Sequence, residues 1–209
     1  MKHILKITIF SLLAFAMNAQ DLTPAKSPKA VKDAFTKMNA STKSFSSDFK
    51  QTKEFSFMDR PLVSTGKFYY QKSDQLRWEY ISPLQYVMLI NGDNIRIKED
   101  GKVKTYSSAV NEVFKTVKEI ILGCISGEIL NDPNYEPAFY ESDKQYQVKL
   151  QPKDKQLKEY MKEINIFLDK SSNELSYLIL KDGSGDITKI EFQNRKINQS
   201  IDESTFSKF

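Results

Sequence analysis

Apolar and polar side chains alternate along much of this 209-residue chain, and this two-residue period constrains the fold more than any other feature. Successive side chains of a strand point to opposite faces, so the alternation predicts strands with one apolar face. The clearest case is residues 66–80, GKFYYQKSDQLRWEY, which predict a hairpin with a polar tip. One side of this hairpin is broad and apolar, and it carries Phe68, Tyr70, Leu76, Trp78 and Tyr80.

The same period predicts further strands on both sides of the hairpin, with Asn91-Gly92 and Asp100-Gly101 as turns. About ten strands in an antiparallel meander must curl, split or close, because a flat sheet of that size twists and exposes its edges. We therefore expect a mainly β protein with a curved sheet. The other predicted strand faces carry Phe45 and Phe49; Phe55 and Phe57; Leu84, Tyr86, Met88 and Ile90; Ile95 and Ile97; Tyr146, Val148 and Leu150; Ile164, Ile166 and Leu168; Leu175, Tyr177 and Ile179; and Ile187, Ile190 and Phe192.

Two segments have a helical period instead. An amphipathic helix is predicted from about 27 to 41, with Ser27 as N-cap and Pro28 in the first turn. Between residues 107 and 133 a second helix is predicted, with Gly123 near its C-cap. Its apolar stripe is Val110, Val113, Phe114, Val117, Ile120 and Ile121, and its polar face is Asn111, Glu112, Lys115, Lys118 and Glu119. A concave apolar sheet with amphipathic helices over its mouth could enclose an apolar ligand.

The N-terminal segment predicts export from the cytoplasm. Lys2 and Lys6 precede an apolar run from Ile7 to Ala16, which is well short of the ~20 residues of a membrane-spanning helix. We predict a signal peptide over residues 1–20 and a single domain over residues 21–209, soluble after cleavage.

Composition excludes several function classes. Removing Lys2 and Lys6 with the signal peptide leaves 29 of the 31 basic residues against 27 acidic ones, and no basic cluster indicates nucleic-acid binding. His3 is the only histidine and lies in the signal peptide, so the mature chain lacks Ser-His or Cys-His catalysis and a histidine metal site. Cys124 is the only cysteine and cannot form an internal disulfide; we expect it to be buried near a helix end.

A series of short motifs follows the order and spacing of a known family. It begins with Phe49-Lys50-Gln51, continues with Gly66 and Leu76-Arg77-Trp78, and then has a proline five residues after the tryptophan and Asn91-Gly92 beyond it. The series resembles the periplasmic outer-membrane lipoprotein carrier family LolA, whose pattern runs F-x-Q, G, F-R-W, P and D-G. The likeness continues through the central helices and residues 185–206, so it covers nearly the whole mature chain.

The resemblance implies an incomplete antiparallel β-barrel with amphipathic helices as a lid over an apolar cavity. That cavity would hold the acyl chains of lipoproteins released by an inner-membrane ABC transporter, for delivery to an outer-membrane acceptor. It further implies a monomeric periplasmic carrier that is not an enzyme and needs no cofactor or metal. The lipid-binding residues predicted on this basis are Phe68, Tyr70, Leu76, Trp78, Tyr80, Tyr86, Met88, Ile90, Val113, Phe114, Val117 and Ile121.

Lid control is predicted at the tip of the hairpin. In the family, an arginine just before a proline at this tip helps to hold the lid closed by hydrogen bonds. The matching position is Lys72, in Gln71-Lys72-Ser73. A lysine lacks the planar fork with which arginine pairs several acceptors, so lid control is expected to differ here.

Two alternatives to a lipoprotein carrier stay open, and two others are disfavoured. The chain could carry another lipid or an acylated small molecule, or it could be a non-catalytic β-domain whose core is filled by its own side chains. A hydrolase using carboxylates such as Asp48, Glu54, Glu79 and Asp93 is disfavoured, because none is spaced beside a candidate nucleophile. A LolB-like acceptor is disfavoured because it needs a cysteine at the cleavage site.

Overall fold

The computed structural model describes residues 22–72 and 74–209, without the side chains of Glu112, Val113 and Val117. The signal peptide predicted over residues 1–20 lies outside the described residues. In the described part of the chain, twelve strands pair in one antiparallel sheet. They are β1 (Thr23–Pro24), β2 (Ser44–Glu54), β3 (Leu62–Gln71), β4 (Gln75–Ser82), β5 (Tyr86–Asn91), β6 (Asn94–Glu99), β7 (Lys102–Ser107), β8 (Tyr135–Glu141), β9 (Gln145–Pro152), β10 (Met161–Asp169), β11 (Leu175–Asp182) and β12 (Ile187–Ile197).

The strand order is β1-β8-β9-β10-β11-β12-β2-β3-β4-β5-β6-β7. Two meanders, β2 to β7 and β8 to β12, are therefore joined through the β12–β2 pair, and β1 and β7 are the two edges of an open sheet. This arrangement confirms the predicted incomplete antiparallel barrel with helices.

Among the residues that the structure describes, three α-helices and two 3₁₀ helices accompany the sheet. The first, α1, begins at Pro28, and the Ser27 hydroxyl accepts a hydrogen bond from the Ala30 amide, which confirms the predicted start. Its buried face, which includes Phe35 and Met38, packs into the core. No described helix is both long and apolar enough to cross a membrane. The helices are α1 (Pro28–Ser41), α2 (Glu112–Ser126) and α3 (Lys155–Tyr160), with 3₁₀ turns at Glu128–Asn131 and Glu203–Phe206.

The second helix differs from its prediction at both ends. Val110 was placed on the apolar stripe, but α2 begins only at Glu112 and Val110 is 87% exposed. Gly123 was placed near the C-cap, but it lies inside α2, where a Cβ atom would come within 3.0 Å of the Ile129 side chain. The left-handed residue that follows the helix is Gly127, with φ of +79°.

The apolar floor of the sheet is an aromatic cluster. Phe68 lies 5.4 Å from Trp78 and 5.6 Å from Phe192, and Phe45 lies 5.4 Å from Phe192, all edge to face. Gly66 lets β3 pass close beneath this cluster: a Cβ atom there would lie 1.9 Å from the Glu79 carbonyl oxygen and 2.7 Å from the Phe49 ring.

Three strand predictions were wrong at the strand ends. Phe55 and Phe57 follow β2 in a loop, and Leu84 precedes β5 in another. Ile187 opens β12 on its outer face and is exposed. For Phe55, Phe57 and Leu84 the apolar alternation continues past the last paired residue, so periodicity alone did not locate the end of the ladder, whereas Ile187 is paired but lies on the outer face.

One strand face was also inverted. The sequence placed Leu175 and Tyr177 on the same face of β11, but a bulge separates them, since Phe167 pairs with Tyr177 while the adjacent Leu168 pairs with Leu175. As a result Leu178 is buried inside, whereas Tyr177 stacks on Phe167 at 4.0 Å. The strands β1, β7 and β8 and helix α3 were not predicted at all.

Candidate functional site: an apolar cavity under the lid helix

A cavity of about 300 Å³ lies between the concave face of the sheet and α2. It is near the end of the sheet at which β4 ends and β5 begins, since the cross-strand pairs Tyr80–Tyr86 and Trp78–Met88 form part of its wall. The lining residues are Gln51, Trp78, Tyr80, Tyr86, Met88, Ile120, Ile121, Met161, Leu180, Thr188 and Ile190.

None of the described residues that line the cavity is charged. Its polar groups are the amide of Gln51, the hydroxyls of Tyr80, Tyr86 and Thr188, and the indole N–H of Trp78, and the Tyr80 hydroxyl donates to Gln51 Oε1 at 2.8 Å. Burial raises the pKa of Tyr80 and of Tyr86, so both hydroxyls are protonated at neutral pH. A neutral wall of this kind suits an uncharged, largely hydrocarbon ligand.

Trp78 has an unusual position in this wall. Its ring is stacked parallel to that of Tyr80, with centroids 6.2 Å apart, and meets Phe49 and Phe68 edge to face. Its indole Nε1 is buried and finds no hydrogen-bond partner in the described part of the chain. A buried donor without a partner carries a desolvation cost, which an acceptor such as a ligand carbonyl would relieve.

A family model decides where this chain belongs. The model of the outer membrane lipoprotein carrier protein LolA matches residues 40–208, which include the aromatic cluster of the sheet, α2 (the lid helix) and the C-terminal 3₁₀ turn. The chain belongs to the LolA family.

Three solved structures resemble this LolA-family protein at low sequence identity. A LolA superfamily protein from Nitrosomonas europaea is 10% identical with a TM-score of 0.46, and the match covers 88% of this chain and 99% of that one. MucB of Pseudomonas aeruginosa, in complex with MucA, is 10% identical with a TM-score of 0.45 over 85% and 60% of the two chains. The Mycobacterium tuberculosis lipoprotein LppX is 9% identical with a TM-score of 0.45 over 84% and 99%. No curated protein sequence matches significantly.

The predicted lipid-binding residues of this LolA-family chain fall into three groups. Trp78, Tyr80, Tyr86, Met88 and Ile121 line the cavity. Phe68, Tyr70, Leu76 and Ile90 are buried in the packed core, and Phe114 stacks on Tyr106 at 4.1 Å. The side chains of Val113 and Val117 lie outside the described part of the structure.

Lys118 was predicted on the polar face of α2, opposite the apolar stripe, but it is not simply exposed to solvent. Its side chain is only 13% exposed, and its ammonium donates to the Gly92 carbonyl at 3.1 Å and to Asp93 Oδ1 at 3.2 Å. Asp74 Oδ2 lies 3.5 Å away on the neighbouring turn. Lys118 therefore connects the lid helix to the β3–β4 and β5–β6 turns, at the end of the sheet away from the cavity.

Lys72 lies at the hairpin tip, as expected, and is exposed. Its backbone amide donates to the Lys43 carbonyl at 2.8 Å, which closes the tip against the start of β2. Within the described residues we find no bond from its ammonium to α2. The cationic contact between tip and lid is made from the opposite side, by Lys118.

Six lining residues were not predicted as part of the site. Ile120 was in the predicted stripe and Ile190 on a predicted strand face, but no local signal placed them beside Trp78. Leu180 was missed because of the β11 bulge. The unpredicted lining residues are Gln51, Ile120, Met161, Leu180, Thr188 and Ile190.

Catalytic alternatives find little support elsewhere. Cys124 is 1% exposed, and burial raises the pKa of its thiol to about 12, so it is not a nucleophile at neutral pH. Among the described residues, no group of three or more His, Cys, Asp or Glu could hold a metal ion. A depression of about 540 Å³ beside α2 is lined by Asp74, Lys118, Glu119 and Glu128, and such a charged wall cannot shield hydrocarbon.

Proposed function

We propose that this protein is a periplasmic carrier that binds the acyl chains of lipoproteins in its cavity and takes them from the inner to the outer membrane. The observation that carries the proposal is the uncharged cavity between the concave sheet and α2, in a chain of the LolA family. In this account the protein acts as a monomer, is exported by residues 1–20 and has no catalytic role.

The energetic need for such a carrier is large. Exposing hydrocarbon to water costs ~0.8 kcal/mol per methylene, so two or three chains of about sixteen carbons cost on the order of 20 to 35 kcal/mol. A lipoprotein with such an anchor does not diffuse freely between membranes. An apolar cavity removes most of that cost during transit.

The cavity must enlarge to take more than one chain. Its 300 Å³ is at the low end of the roughly 300–1,000 Å³ that is usual for ligand sites. Displacing α2 would join the cavity to the apolar face beneath it, and this brings Phe68, Tyr70, Leu76 and Ile90 within reach of cargo. We propose that Val113, Phe114, Val117 and Ile121 are the lid residues that cargo replaces.

Competition between lid and cargo makes release possible. When the cavity is empty, α2 covers it through the Phe114–Tyr106 stack and the Lys118 contacts. Part of the acyl binding energy is spent on breaking those contacts, which lowers net affinity and allows transfer to an acceptor. We assign lid control first to Lys118, and the role of Lys72 stays a prediction.

The test is release of lipoprotein from membranes. Purified residues 21–209 are added to inner membranes that contain radiolabelled lipoproteins, the inner-membrane ABC transporter and ATP. We expect label in the soluble fraction, bound to the protein, and little with an Ile121→Asp variant, which puts a charge in the cavity wall. Equal release with and without the protein would overturn the proposal.

A second candidate follows from the cavity size. A single acyl chain needs less displacement of α2 than a multi-acyl anchor, so the protein could carry a singly acylated lipid or small molecule. Native mass spectrometry of the protein isolated from its host distinguishes the two, because the cargo mass is either that of a lipoprotein or that of a small lipid.

A further inference from the structure

Three connections come together at the end of the sheet beside the cavity. Leu62 pairs with Lys53, Ser82 with Thr65, and Ile187 with Glu54. The β2–β3 loop (55–61), the β4–β5 loop (83–85) and the β11–β12 turn (183–186) therefore protrude from the same end, around the wall formed by Tyr80 and Tyr86.

Large apolar side chains at this end are exposed to solvent. In the β2–β3 loop, Phe57 is 77% exposed and Met58 is 50% exposed. Leu84 in the β4–β5 loop is 52% exposed, and Ile81, near the end of β4, is 51% exposed. Ile187, which pairs with Glu54 at the end of β2, is exposed beside the first loop. Single exposed apolar residues are ordinary, but a group of them at the mouth of an apolar cavity indicates an interaction surface.

The tips of both loops are uncharged. The sequence is Phe-Ser-Phe-Met over residues 55–58 and Ile-Ser-Pro-Leu-Gln over residues 81–85. The nearest charges in the first loop, Asp59 and Arg60, follow the tip. Each tip can thus leave water without desolvating an ionised group, which a surface entering hydrocarbon requires.

The first loop is held in place from below. The Ser56 amide donates to Asp186 Oδ1 at 3.0 Å, which ties the loop to the β11–β12 turn. The Lys53 ammonium lies 3.6 Å from a carboxylate oxygen of Asp182 and 3.6 Å from one of Asp186. The same ammonium lies 5.0 Å from the centroid of the Phe55 ring. The centroids of the Phe55 and Phe57 rings are 5.5 Å apart. Phe57 is therefore directed outward by bonded structure beneath it.

We propose that these two loops insert into the surface of a lipid bilayer and dock the cavity mouth directly on the membrane. This proposal rests on the proposed carrier function, because docking would let acyl chains pass from the bilayer into the cavity without crossing water. A bilayer fits better than a protein partner, because separate protruding side chains need no complementary shape in a fluid phase, whereas a protein interface needs a packed core with a polar rim.

The test is co-flotation of residues 21–209 with vesicles of phosphatidylethanolamine and phosphatidylglycerol. The variant is F57S combined with L84S, and the matched control is Val110→Ser, which removes the 87% exposed valine before α2, away from the mouth. We expect wild type and control to partition equally, and the double variant to lose at least tenfold in partition coefficient. Absence of wild-type flotation, or equal flotation of all three proteins, overturns the proposal. Flotation only with vesicles that contain membrane proteins overturns it in favour of a protein partner.

A second measurement does not depend on weakened binding. Because Cys124 is buried and its pKa is raised, a Leu84→Cys variant can be labelled at one site with a polarity-sensitive fluorophore. Insertion predicts a blue shift on adding vesicles, and an unchanged spectrum contradicts it. Binding of a fluorescent fatty acid, measured in the same proteins, separates the two proposals: flotation without fatty-acid binding keeps the docking and removes the carrier function.

Discussion

The two ends of strands β3 to β6 differ in burial and in the connections that follow them. At the end with the β3–β4 and β5–β6 turns, Leu76, Ile90 and Ile95 are fully buried and Lys118 joins both turns to α2. At the other end the same strands enclose an open cavity and run into loops with exposed apolar side chains. In the proposed function one end anchors the lid and the other admits cargo, so one alternating pattern would serve both purposes through its different connections.

The largest expected effect concerns the floor that both ends share. Gly66→Ala would place a Cβ atom 1.9 Å from the Glu79 carbonyl oxygen, which the β3–β4 ladder holds in place. We expect the free energy of unfolding to fall by about 3 kcal/mol or more, measured by urea denaturation. Thr65→Ala, on the exposed side of the same strand, should change it by less than about 0.5 kcal/mol. A Gly66→Ala protein as stable as the wild type would show that the floor is not tightly packed.

The next effect separates the core side of the lid helix from its cavity side. Ile125→Ser should cost about 3 kcal/mol of stability, because Ile125 is 3% exposed and loses packing on all sides. Ile121→Ser faces the cavity and should cost about 1 kcal/mol, yet weaken fatty-acid binding at least tenfold in calorimetric titration. Equal loss of stability in both variants would mean that Ile121 is core.

A smaller effect is expected from the anchor of the lid. Lys118→Met keeps the apolar stem and removes the ammonium, while Asp74 and Asp93 are more than half exposed and stay hydrated. Stability should therefore change by less than about 1 kcal/mol. The dissociation rate of a bound fatty acid, followed by stopped flow, should rise several-fold, and Lys37→Met on α1 should leave it unchanged. Identical rates in the two variants would remove Lys118 from lid control.

The smallest effect is a dependence on acid. The hydrogen bond from the Ser108 hydroxyl lowers the pKa of Asp93 most, and the contact with Lys118 lowers it further. The folded state therefore favours the ionised carboxylate. The contact is then fully formed above the ordinary pKa of a carboxyl group and is lost as the pH falls through the lowered pKa. Fatty-acid dissociation should be constant from pH 8 to about pH 6 and accelerate only in strong acid. Asp93→Asn should abolish that acceleration; if the acceleration persists, another group is responsible.

Much of the cavity wall formed by β4 and β5 could be predicted from the sequence, because these strands pair with their neighbours along the chain. The tight turns fix the register of β3, β4 and β5, so the alternation places Trp78 and Met88 opposite each other. The cavity wall formed by β2 and β12 could not be predicted in this way. Ile190 faces Gln51 only because β12 pairs with β2, a contact between residues 139 positions apart.

The remaining errors have the same physical origin. Lys118 has the spacing of a polar-face residue, and only the approach of the turns that carry Asp74 and Asp93 leaves its side chain 13% exposed. Phe57 and Leu84 continue the alternation of their strands, and only the end of hydrogen-bonded pairing puts them in loops. Local periodicity reports what a side chain prefers, whereas long-range pairing decides what it meets.

The most direct test uses the single tryptophan of the chain, Trp78, which lies in the cavity wall. A fatty acid brominated along its chain quenches indole emission only at close range. We predict saturable quenching when it is added to residues 21–209, with the midpoint shifted to at least tenfold higher concentration in Ile121→Ser. Emission that stays constant up to the solubility limit of the fatty acid would contradict the account, because it would mean that no hydrocarbon enters the space beside Trp78.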